Sequence, residues 1–181
     1  MNVRTMAGGL AAAAIVTAGA TVGGFGYAAA QPGDFSALPV DPNLITDSQA
    51  YSAAPPVFNP NGQAGIETVY THRDGSRTIA STILILPDAQ AAVAALDGAR
   101  AESAGRVANG KSQPAAVGSE GTVLTGMSPD GSKSVTILWF AEGNTATTVE
   151  FDGAPKDPVP PDLALELGQK QDTVIKDWQA A

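Results

Sequence analysis

Chemistry in this chain must be done with few tools. The sequence holds one histidine and no cysteine. His72 lies in the stretch YTHRDGSRT, beside Arg73 and close to Asp74 and Ser76. A catalytic imidazole needs a nucleophile or carboxylate positioned around it by the fold. The same residues have a simpler use. Asp74-Gly75 between two runs rich in β-branched residues signals a hairpin. That register pairs Arg73 with Ser76 and sets His72 across from Arg77. His72 then belongs to a solvated strand end and not to an active site.

The remaining candidates are carboxylates and aromatics. Glu150 and Asp152, two apart on a strand, could act as the acid and base of a glycoside hydrolase. The same spacing describes the wet face of an amphipathic strand. Asp47, Asp157 and Asp162 in loops offer oxygen ligands for calcium, but no D-x-[DN]-x-[DN]-G loop frames them. With no cysteine and one histidine there is no ordinary zinc site. Phosphate-cradling, dinucleotide and nucleophile-elbow patterns are absent. No catalytic residue, cofactor or metal is expected. Trp139, Phe140 and Trp178 remain as candidate ligand or partner contacts, although core packing is the favoured account of Trp139 and Phe140.

Charge narrows the partners. Ten Lys and Arg stand against 18 Asp and Glu. Such a chain gains nothing from phosphate counterion release and has no basic run for anionic lipid heads, so nucleic acid is excluded as a partner. The acidity suits solubility outside the cell.

Residues 1–30 read as a leader. Arg4 precedes a run without charge, and Ala28-Ala29-Ala30 before Gln31 forms an A-x-A cleavage site. No Arg-Arg pair is present, which points to general secretion. The run is long enough to span a bilayer, which needs about 20 residues. Its Ala, Gly and Thr content favours cleavage. The alternative is a retained anchor, with membrane association through residues 5–30. Residues 31–62, broken by Pro, Asn, Asp and Ser, read as a linker or flexible arm, with Leu38, Val40, Leu44 and Ile45 as the residues that could touch the domain.

The elements that must position any site begin at residue 63. GIETVYT and RTIASTILIL form the first two strands. Ala89, Ala92, Val93, Leu96 and Ala99 then repeat on one helical face behind Asp88, a good helix start. Residues 106–120 read as a loop or short edge strand. GTVLTGM, SKSVTILWF and TATTVEFD are strands separated by Pro- and Gly-bearing turns. On the middle one, Val135, Ile137 and Trp139 share one face and Thr136, Leu138 and Phe140 the other, so it belongs at the centre of the sheet with both faces covered. A last helix carries Leu163, Leu167, Val174 and Trp178 along one face, with Ala164, Gln171 and Ile175 beside it. Trp178 should anchor that helix to the sheet edge. The order is β-β-α-β-β-β-α: a single α+β domain over 63–181, an antiparallel sheet with two helices packed on it.

The stretches ILILPDAQAAVAALDGARAE and VGSEGTVLTGMSPDGSKSVTILWFAEGNTATTVEF, followed by a final helix, resemble the extracytoplasmic domains of mycobacterial and other actinobacterial exported proteins. The chain resembles LpqN-type lipoproteins most, and more distantly the PsbP/Mog1-like fold. It lacks the lipobox cysteine, so lipid anchoring does not carry over, and it lacks the cysteines that some related sensor domains pair. The resemblance transfers no catalytic residue. The expected function is an exported cell-envelope binding module, without enzyme activity, for a protein partner, a lipid or another hydrophobic molecule. The alternatives are an accessory subunit of a membrane complex held by an uncleaved N-terminal helix, and a hydrolase with a carboxylate site.

Overall fold

The computed structural model describes residues 34–46 and 49–181. The Ala30-Gln31 cleavage site, the segment 5–30 and Asp47 lie outside the described residues.

The strands are β1 (Tyr51–Ala53), β2 (Val57–Phe58), β3 (Gly65–His72), β4 (Thr78–Ile85), β5 (Ala108–Pro114), β6 (Ser119–Met127), β7 (Ser134–Glu142) and β8 (Thr145–Gly153). The helices are α1 (Ala89–Ser103) and α2 (Pro161–Ala180). All the strands join one antiparallel sheet in the order β1-β3-β4-β8-β7-β6-β5, with β2 also paired to β3. The chain makes the β3–β4 hairpin, crosses on α1 to the far edge, and returns strand by strand until β8 closes against β4. The α+β class and the expected order hold, with β1, β2 and β5 added. Strand β5, ANGKSQP, is polar and almost wholly exposed, so its sequence carries no burial period. Pro114 removes a donor from the ladder, as suits an edge strand.

Strand β7 is central and buried along nearly its whole length. Its Val135, Ile137 and Trp139 pack with Ala92 and Leu96 of α1. Its Leu138 and Phe140 pack on the other side with Ala164, Leu167 and Ile175 of α2. Alternation along one strand thus feeds two cores. Helix α1 starts where Asp88 accepts from the Ala91 N–H at 2.8 Å. Ala89, expected on its buried face, is exposed in the first turn, before the helix meets the sheet.

The expected arm over 31–62 is corrected from Asp34 onward: this segment is laid on the domain and contributes to the sheet. Phe35, Leu38, Val40 and Tyr51 are buried in the core on the α2 side. Burying each such side chain is worth about 1.5–3 kcal/mol, enough to oppose the entropy of ordering a proline-stiffened segment. Two amides staple its backbone. Gln171, on α2, accepts from Val40 N–H at 3.0 Å and donates to Leu38 O at 2.7 Å. Asn43 accepts from Tyr51 N–H at 3.0 Å and donates to Tyr51 O at 2.9 Å. Trp178 packs edge-on against Phe35 of this segment, ring centroids 6.1 Å apart, at the border of the same core.

The candidate ligand groove

Where the cover of the sheet stops, a groove opens. On the α2 side, the segment around Phe35 lies against β3 and α2 lies against β7 and β8, which leaves β5 and β6 less covered. Helix α2 approaches the sheet closely at Gly168, where an added Cβ would stand 2.4 Å from Leu138 Cδ2. Toward the start of α2 the small Ala164 and the loop before Pro161 leave space. The result is a cavity of about 420 Å³ walled by Val123, Leu138, Val159, Ala164, Leu165 and Ala115. Its polar groups are Lys111, Gln113, Thr125, Thr136 and Asp162. An apolar wall with a few polar groups at its rim is the usual form of a small-molecule site. Among the described residues, none of the ion pairs includes Lys111 or Asp162.

None of the three aromatics named from sequence lines this groove. Trp139 and Phe140 are 2% and 0% exposed and point to opposite faces of β7. The Trp139 indole nitrogen is buried without an acceptor among the described residues. Trp178 is half-buried at the far end of α2. The groove residues could have been suspected from one signal: Ala164 is small at a buried position between larger helix neighbours, where the sheet must otherwise be met by a long side chain.

The candidate carboxylates lie elsewhere. Glu150 and Asp152 alternate with Val149 and Phe151, so they face the α1 side, through the sheet from the groove. Each has a cation of its own. Arg106 Nη1 lies 2.5 Å from Glu150 and Lys133 Nζ 2.7 Å from Asp152. Burial pushes the Glu150 carboxyl up, and Arg106 opposes that shift. Asp157 pairs with Arg77 at 2.6 Å, and Asp162 stands on the groove rim. Among the described residues no three His, Asp or Glu side chains are grouped to hold a metal ion.

His72 is at the mouth of the β3–β4 hairpin, as the sequence indicated, with its N–H on Arg77 O at 2.9 Å. The Arg73–Ser76 ladder pair is absent. Gly75 N–H closes on His72 O at 2.8 Å with Gly75 at φ +72°, and Arg73 N–H turns to Ala50 O at 2.7 Å. The imidazole Nδ1 meets Asp74 Oδ1 at 2.5 Å, and the ring stands edge-on to Tyr51. Hydrogen bonds from Ser76, helped by His72, hold the Asp74 carboxyl well below the usual carboxylate range. This cluster is a closed turn; Arg73 and Tyr51 beside it line a shallow hollow with Asp41, Asn43 and Ser52, into which His72 itself does not reach.

No family model matches the chain, and no curated protein matches it. Its structure is similar to the crystal structure of the extracellular domain of PknH from Mycobacterium tuberculosis, with a TM-score of 0.54 and 16% identity, covering 81% of this chain and 98% of that chain. At that identity the likeness is one of fold alone.

Proposed function

We propose that this chain is an exported, extracytoplasmic binding module, without enzyme activity, whose groove takes a hydrophobic molecule. The observation that carries the reading is the cavity of about 420 Å³ with apolar walls between β6, β7 and the start of α2. Export is supported by the leader-like residues 1–30 and by the shared fold with an extracellular domain. The absence of enzyme activity is supported by the pairing of each candidate carboxylate with its own cation, away from the groove.

A hydrophobic environment-sensitive dye tests this. Its fluorescence should rise on binding the native protein. Leu165→Glu puts a charge on the wall and should abolish that rise while leaving thermal unfolding nearly unchanged, because Leu165 is only half-buried. Unchanged dye binding by this variant would place the ligand elsewhere.

A further inference from the structure

Val57 and Phe58 are neighbours on β2 and remain 53% and 50% exposed; among the described residues Leu44 is the one other exposed large hydrophobic side chain. Their backbone is firmly placed. Phe58 registers with Ile66, and Asn59 N–H donates to Gly65 O at 2.9 Å. Pro55, Pro56 and Pro60 stiffen the flanks. From Ser52 to Thr71 the only charged residue is Glu67. A rigid apolar tip of this kind marks a contact surface.

Its position says with what. Ile66 lies at the end of the sheet where β8 begins, since Gly65 pairs with Leu84 and Leu84 with Ala146. Helix α2 finishes at that same end, where Gln179 donates to Thr145 Oγ1 at 2.9 Å and to Glu142 O at 2.8 Å. Trp178 there holds Phe35, the residue after Asp34. The point where the chain enters the domain and the Val57–Phe58 tip therefore share one end. Before Asp34 the sequence carries no charge from Thr5 to Gly33, which exceeds the ~20 residues a bilayer span needs. Gln31 to Gly33 can reach no more than roughly 10 Å.

We propose that Val57 and Phe58 rest on a lipid surface to which the uncharged run before Asp34 tethers the domain. The acidic chain suits a zwitterionic surface better than an anionic one. The start of α2, and with it the groove, lies at the other end of a 20-residue helix, about 30 Å away, and faces off the membrane. The inference depends on the uncharged run being kept and not on the groove reading.

With no cysteine in the chain, a single introduced one reports a single site. The full chain carrying Phe58→Cys, labelled with a nitroxide in phosphatidylcholine vesicles, should gain accessibility to dissolved oxygen and lose accessibility to a water-soluble nickel complex. The same label at Ser76→Cys, in the β3–β4 turn at the opposite end, should keep its nickel accessibility. Adding Val57→Asp to the Phe58→Cys chain should restore nickel accessibility at position 58. Equal nickel accessibility at 58 and 76 overturns the proposal, as does native protein that begins at Gln31. Either result leaves dye binding in the groove untouched, so the two readings fail separately.

Discussion

Gln171 and Val40 are 131 positions apart in sequence and joined by a buried hydrogen bond of 3.0 Å. With the companion bond to Leu38, one glutamine on α2 fastens the segment that opens the domain. Gln171 is itself 2% exposed, so both backbone groups it serves have no water to fall back on.

Gln171→Leu should therefore destabilise the domain by about 2–6 kcal/mol, as two buried backbone groups lose their partners at roughly 1–3 kcal/mol each. Chemical denaturation measures the loss. Limited proteolysis gives a second reading. The native protein should resist cutting from near Asp34 onward, and the variant should be trimmed toward residue 62. Native protein trimmed that far would show the segment to be free.

Trp139→Ala should cost roughly 3–5 kcal/mol, the range for emptying a buried aromatic site. Trp139 is 2% exposed against α1. Groove dye binding should survive in the folded fraction, because the indole faces the other side of the sheet. Loss of dye binding at unchanged stability would contradict that placement.

His72→Ala should change stability by no more than about 0.5 kcal/mol, as surface substitutions usually do. Denaturation midpoints compare the two chains. A loss of folding would mean that the His72–Asp74 contact holds more than its turn.

Asp130 gives the pH prediction. Hydrogen bonds from the Ser128 hydroxyl and then from Ser132 depress its carboxyl from the ordinary 3.8 to about 2. A depressed carboxyl favours the ionised folded state. Its contribution is present above pH 3.8 and is lost as pH falls toward about 2. Carboxyl NMR titration should find Asp130 at about 2, and Ser128→Ala should move it back up. A native value near 3.8 would show that these bonds do not persist in solution.

What was legible in the sequence follows from range. The two faces of β7 could be read because Val135, Ile137 and Trp139 alternate with Leu138 and Phe140, and alternation is a local signal. The hairpin at Asp74-Gly75 was legible for the same reason. Leu38 and Val40 could be suspected of touching the domain from their apolar type, and both are buried, but they follow no period, and the Gln171 and Trp178 side chains that fix this segment are distant in sequence. Strand β5 was obscure because an exposed edge imposes no apolar pattern. The groove was hardest to foresee, since it arises where α2 and the N-terminal segment leave β5 and β6 less covered, and a gap between covering elements is written in no single stretch of sequence. The aromatics attracted attention by their rarity, yet Trp139 and Phe140 are needed for packing on opposite faces.

The most direct test of the binding reading is methyl NMR of the folded protein titrated with a single-chain zwitterionic amphiphile below its micelle concentration. Val123, Leu138, Val159 and Leu165 should shift together and saturate, while Val135 and Ile137 on the α1 side stay still. Shifts confined to the α1 side, or no saturable shift at all, would contradict the account.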